Sequence, residues 1–316
     1  MDNPTPHTER NSVIAYSEKQ RDEIAQRINA DPTKSVRQNC HEAWDAGQAM
    51  ASESTYYRIA RSHRCPTRGH QRRETSPEQA HRPAASAPQL HATRPWQVIV
   101  WDITLLPLLQ RGRSLAAHVA MDLYSRAIVG VGLSAGPNTD TATEIFTTIL
   151  ADAGCAGLTV ETVHADNGKT MKSRKLTTLF ATHNIKRSHS RPHTSDDNPH
   201  IESVFSTIKQ DPIYPHVFTD TDEAATWLAN WVNFYNTQRM HSAIANFTPQ
   251  SVLDGSWRGQ WAIRNANKLE HYNRNPARYR YRPPVVATPP KEVRFNLTNT
   301  PDDITNQTPF DQLAHH

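Results

Sequence analysis

The sequence is poor in cysteine: Cys40, Cys65 and Cys155 are the only three in 316 residues, with no CxxC spacing. An odd count without such spacing excludes a disulfide framework and fits a reducing compartment. Cys40, His41, His63 and Cys65 follow no zinc-ligand pattern either. No stretch approaches the roughly 18 apolar residues of a membrane span, and the opening MDNPTPHTERN has no apolar targeting segment. The expectation is a soluble, cytoplasmic protein with no membrane partner. No internal repeat is present.

Acids are scarce where bases are dense. From Tyr56 to Arg94 eight Arg accompany only Glu74 and Glu78, and HYNRNPARYRYRPP (271–284) has no acid at all. The net charge is only +4 and the pI about 9.0, so this local distribution says more than the total. Arg interleaved with Tyr suits a phosphate backbone with bases or sugars beside it; a solvated basic surface is the plainer reading.

Hydrophobic periodicity predicts helices over about 16–29, 35–46 and 52–62, with Gly47 ending the second and Ser52 or Ser54 capping the third. Their outline matches a helix-turn-helix, and equally a small helical bundle. Residues 64–95 hold five Pro and almost no aliphatics, which reads as a linker. Strand-like runs follow at VIVWDIT (98–104), AAHVAMDL (116–123) and AIVGVGLS (127–134), joined by turns as in a meander. Then helix (139–154), strand (158–166), helix (173–184) and strand (185–190) alternate, which predicts an α/β fold with a mixed five-stranded sheet covered by helices. In SRPHTSDDNPHIESVFSTIKQD (190–211), Ile201, Phe205 and Ile208 form the apolar stripe of a helix begun at Asn198 and Pro199. Glu202 and Lys209, seven residues apart, share a neighbouring face. A long helix spans about 221–238, and after Ser256 only EVRFNLT alternates like a strand.

Asp102 lies in the first strand, Asp166 ends the fourth, and Glu202 opens the helix after the fifth, with 35 residues between the last two. Strand ends and helix starts of an open sheet converge at one edge. Carboxylates gathered there raise each other's pKa unless a cation intervenes, and hard divalent ions prefer oxygen ligands. Taken singly, an Asp at a strand end is more often a turn or cap residue. Asp196 and Asp197 read as N-terminal caps, Asp122 and Gly168 as turn residues. Asn167 is a turn residue or brings backbone close to a nucleic acid, and His241 touches DNA or satisfies a carbonyl.

The acids and their surroundings resemble a known family. Asp102, Asp166 and Glu202, with Lys209 beyond, look like the DDE motif of retroviral integrases and insertion-sequence transposases. WDIT, MDLYSR, HADNG, SHSRPHTSDDNPHIES, FYNTQRMHSAI and TPQSV resemble, in order, the downstream-frame (orfB-type) transposase subunit, and SESTYYRIAR its helix-turn-helix. The likeness runs from about residue 16 to 298. It implies a ribonuclease H-like sheet preceded by an all-α helix-turn-helix module: residues 1–63 for the module, 64–91 for a basic Pro-rich linker, 92–255 for an integrase-like core and 256–316 for a basic, aromatic extension. It implies a DDE polynucleotidyl transferase that cuts and joins DNA at insertion-sequence ends. Asp102, Asp166 and Glu202 would be both catalytic residues and ligands of two Mg²⁺ (or Mn²⁺) ions. Lys209, Asn167, Arg191, Arg58 and His241 would contact DNA. Double-stranded DNA, a homo-oligomer on that DNA and an upstream-frame transposase are the implied partners. A phage or retroelement integrase, or a non-catalytic DNA-binding descendant, are the alternatives. Two departures stand out: the thin second strand LAAHVAM, which predicts a weaker core, and Lys169 where a small polar residue is usual.

Overall fold

The structure is a computed structural model and describes residues 16–48, 50–66, 89–191, 198–279 and 283–295. The chain divides into two compact units: residues 1–80 with 233–290, and residues 81–232 with 291–316.

The second unit is built on a sheet of β2 (Val98–Pro107), β3 (Ser114–Asp122), β4 (Ile128–Ser134), β5 (Thr162–Ala165) and β6 (Lys186–His189). Their order is β4-β3-β2-β5-β6. The first three run antiparallel, while β5 is parallel to β2 and β6 to β5. The meander comes from short turns, and the parallel pairs from crossovers through α4 (Thr139–Cys155) and α5 (Arg174–Thr182). This is the ribonuclease H-like arrangement expected. A small sheet pairs β1 (Leu90–Ala92) with β7 (Val293–Phe295); β1 falls where the composition reads as the end of a linker.

The thin strand β3 is buried along nearly all its length. Its small residues accept large neighbours. Trp101 stands opposite Ala120, stacks on His118 at 6.0 Å and meets Phe146 of α4 edge-on at 5.2 Å. On β4, a Cβ at Gly130 would lie 2.6 Å from the Ile145 side chain, and one at Gly132 2.8 Å from that of Thr141. Small residues on β3 and β4 therefore bring α4 close, and the volume missing from LAAHVAM is taken up by Trp101 and the helix. Asp122 is the turn residue expected: fully buried, it accepts from the backbone N–H of Trp96 and from the N–H and hydroxyl of Ser125.

In the first unit, α1 (Glu18–Ala30), α2 (Val36–Asp45) and α3 (Glu53–Ser62) enclose a core that includes Ile24, Ile28, Trp44 and Tyr56. Ser17 and Gln20 form a capping box on α1, Ser52 caps α3, and Gly47, at φ +66°, follows the end of α2. The connection 46–52 is longer than the three- or four-residue turn of the DNA-binding motif. α7 (Thr221–Thr237) crosses the division, and α8 (Pro249–Asp254) and α9 (Trp257–Arg274) follow. Residues 233–255, placed by the sequence in the catalytic core, and 256–290, placed in an extension, lie in the unit of α1–α3. The reason is polar. Arg264, 1% exposed, donates to Asp45 (2.8 Å) and to the carbonyls of Ala245 and Asn246. Its guanidinium also lies over the Phe247 ring at 4.4 Å.

Candidate active site

Asp102 is set by register. Trp101 pairs with Ala165 of β5, so Asp102 and Asp166 each follow one residue beyond that pair on strands about 4.8 Å apart. Alternation turns Asp102 to the sheet face opposite Trp101. β5 ends there, and the N–H of Ile103 is taken by Asp102's own carboxylate at 2.8 Å.

Glu202 is brought to the same place by α6 (Pro199–Lys209), which packs on β2 and β3. Ile201, Val204, Phe205 and Ile208 are its buried stripe. Asn198 takes the N-cap position but makes no side-chain cap bond. Its amide donates instead to the Trp101 carbonyl at 3.5 Å. That replaces the capping role expected from the sequence, because the polar side chain finds a buried carbonyl of β2. It ties the first turn of α6 beside Asp102. The supposed caps Asp196 and Asp197 lie outside the described residues.

The electrostatics fit this placement. The Asp102 carboxyl is pushed up to about 6, chiefly by burial and further by the negative charges of Asp166 and Glu202, against the opposing Ile103 N–H. Asp166 is exposed and accepts from the Gly168 N–H at 2.8 Å. Among the described residues, no group of three His, Cys, Asp or Glu stands close enough to hold a metal ion. The acids are thus electrostatic neighbours but not a closed ligand cage. As a donor set they are carboxylate oxygens only, which suits a hard divalent ion, and such an ion would offset the repulsion felt by Asp102.

The loop carrying Asp166 is held by Asn167, which the sequence marks as a turn residue, and by His and Ser side chains that sequence reasoning does not single out. Asn167 donates its amide to the Ser190 carbonyl, so it pins the loop. His189 Nδ1 lies 2.9 Å from the Asp166 carbonyl. Buried His164 reaches Ser188 at 3.0 Å and Ser190 at 3.3 Å. The alternating His and Ser of this segment are the one trace of the network in the sequence. Lys209 is exposed in the last turn of α6, and Arg191 sits half-buried just after β6. Arg58 and His241 belong to the helical unit. Arg58 is exposed on α3 and reaches Thr55 Oγ1 at 3.0 Å; the His241 ring meets Tyr235 edge-on at 4.8 Å. Ser54, Tyr57 and Arg61 are exposed with Arg58 along the same side of α3.

Strand order, strand sense and the positions of the acids define a ribonuclease H-like domain with carboxylates at one sheet edge. Comparison with known proteins narrows this. Residues 92–195 and 183–249 each match an integrase core domain family. The chain is 25% identical over 158 residues to the InsK protein of insertion sequence element IS150 from Escherichia coli K12, covering 50% of this chain and 54% of that protein. It is 28% identical to the transposase of insertion sequence element IS904 from Lactococcus lactis, over 50% and 62% of the two chains. The chain thus spans little more than half the length of these relatives. Among solved structures it is similar to a simian T-cell lymphotropic virus intasome in complex with a PP2A regulatory subunit (14% identity, TM-score 0.43, 64% and 67% covered). A second is the HTLV-2 integrase catalytic core domain with magnesium (16%, TM-score 0.37, 50% and 97%). Residues 92–249 are thus similar to integrase core domains, and the relatives matched over that stretch are proteins of insertion-sequence elements.

Proposed function

We propose that this chain is a DDE transposase that cleaves DNA at insertion-sequence ends and joins the freed ends to target DNA. The observation that carries the reading is register: Asp102 and Asp166 each follow the Trp101–Ala165 pair of β2 and β5, within a stretch that matches an integrase core domain. A protein that only binds DNA has no use for such an arrangement.

Asp102, Asp166 and Glu202 are the residues that would hold Mg²⁺ or Mn²⁺, two ions by the family pattern. When bound, such ions activate an attacking oxygen and stabilise the leaving one. The chain's own part is placement. β2 and β5 fix two carboxylates side by side, and Asn198 anchors the helix that presents the third. Lys209, two turns along α6, offers a cation to a DNA phosphate, as does Arg191 beside β6. Water first cuts a phosphodiester to leave a 3′-hydroxyl. That oxygen then forms a new bond to phosphorus in the target while the target's own 3′-oxygen leaves, so no covalent protein intermediate is needed. The exposed side of α3, with Arg58, Tyr57 and Arg61, is the surface offered to double-stranded DNA, and residues 1–63 form the end-recognition module. His241 serves the fold of its loop against Tyr235 rather than DNA. Paired-end chemistry calls for a homo-oligomer on DNA, assisted by an upstream-frame partner. No helix among the described residues is long and apolar enough to cross a membrane.

The test is strand transfer by the purified chain with Mg²⁺ or Mn²⁺ and duplexes carrying the ends that flank its gene. Joined products that vanish with Glu202→Gln are expected. Joined products that persist undiminished in that variant would refute the assignment.

A further inference from the structure

A cavity of about 840 Å³ opens in the helical unit among α2, α3, α9 and the chain around Tyr279. Its size falls in the range of small-molecule sites, about 300–1,000 Å³. Four cations line it: Arg21, whose Nε donates to the Tyr16 carbonyl at 3.1 Å, and Arg58, Lys268 and Arg278. Among the described residues none of the four forms an ion pair with an acid. The one lining carboxylate, Glu53, is held by Arg37 at 2.7 Å. Burial lowers the pKa of the Lys268 ammonium, against the raising influence of Asp45 and Glu53 nearby.

Aromatic rings stand beside these cations. Lys268 Nζ lies 5.2 Å from the Trp44 ring centre, and the Arg278 guanidinium 4.2 Å from that of Tyr16. His41, on α2, adds a buried Nδ1 with no hydrogen-bond partner, while its Nε2 lies 3.7 Å from Glu53 of α3. Unpaired cations beside flat aromatic faces, with one orphaned ring nitrogen, match a ligand that is anionic at one end and a flat heterocycle at the other. Arg and aromatic surfaces recognise nucleotides through this same pairing of phosphate charge and base stacking.

We infer that this cavity binds a nucleotide, its phosphate on Lys268 and Arg278 and its base among Tyr16, Trp44 and His41. The nucleotide comes either free from solution or as an unpaired residue of a DNA strand lying on α3. The inference does not depend on strand transfer, because it is read without metal and without cleavage.

The test is calorimetric titration of the full chain, metal-free, with adenosine 5′-monophosphate, with inorganic phosphate alone and with adenosine alone. In parallel, duplexes carrying 2-aminopurine, either paired or as a single unpaired base, are followed by fluorescence. Saturable one-to-one binding is expected for the monophosphate or for the unpaired base, weaker for phosphate or adenosine, and reduced about tenfold or more in Lys268→Gln and Arg278→Gln. Binding of the monophosphate identifies the free nucleotide as the source; quenching of the unpaired base alone identifies the DNA strand. Absence of saturable binding in both arms overturns the inference. So does unchanged binding in a variant that keeps the wild-type unfolding temperature. Should Lys268→Gln fail to fold, Arg278→Gln, on a half-exposed segment, decides.

Discussion

At the scale of single residues, the site depends on where one carboxylate points. Asp166 is turned onto the Gly168 N–H, and a Cβ at Gly168 would come within 2.9 Å of its Oδ1. Gly168→Ala must therefore push the carboxylate out of its present position. Because misplacing a reacting group by about 1 Å can cost on the order of a hundredfold, strand transfer should fall by ten- to about a hundredfold, with duplex binding and unfolding temperature unchanged. Equal strand-transfer rates in the two proteins would show that this turn does not position Asp166. Asp166→Asn should go further and abolish joining while leaving duplex binding nearly intact, as a gel-shift assay beside the joining assay would read.

At the scale of elements, α4 lies against β4 with no room for a methyl group. Gly132→Ala should cost about 1–3 kcal/mol through overpacking, read as a lower urea midpoint with unchanged slope. His118 on β3 gives the same layer a pH dependence. Burial holds its pKa down to about 4. The unfolded imidazole takes up a proton near its ordinary 6.5 and the folded one does not, so stability is full above about pH 6.5 and is lost as the pH falls toward 4. His118→Gln, which keeps a polar group near Ser134, should flatten that fall by about 2 kcal/mol between pH 7 and 4.5. An identical pH profile in the variant would place the acid sensitivity elsewhere.

The strands and helices that carry alternation or a three-to-four apolar spacing were legible in the sequence, because each buries one apolar face. α9 was not. Its buried side chains are Arg264 and His271, one turn apart from Lys268 along the same side, so its inward stripe is polar and its apolar residues Ile263 and Leu269 face outward. Hydrophobic periodicity carries no signal for such a helix. β7 lies in EVRFNLT, which alternates like a strand, but β1 was not legible, and the pairing of the two across about 200 positions of chain is something no local pattern reveals. The three acids stood out by spacing and by the words around them. Their supports, Asn198 on Trp101 and His189 on Asp166, did not, since each joins a side chain to a backbone carbonyl on another element.

At the scale of the whole molecule, the helical unit of α1–α3 and residues 233–290 is held by a buried charge. Asp45→Ala would leave the Arg264 guanidinium, 1% exposed, without its carboxylate, and breaking a buried pair this way costs about 3–5 kcal/mol. Amide protons of α2 and α9 should then exchange faster by hydrogen–deuterium mass spectrometry, while those of β2 and β3 keep their protection. Uniform loss of protection in both units would contradict the division of the chain at residues 80 and 233.

The most direct test of the assigned chemistry is Mn²⁺ binding, followed by electron paramagnetic resonance on the full chain with a duplex bearing a free 3′-hydroxyl end. Two Mn²⁺ per chain are expected in the wild type, with loss of binding in Asp102→Asn and Glu202→Gln and duplex affinity unchanged. Equal Mn²⁺ binding in the wild type and both variants would mean that these carboxylates do not hold the metal.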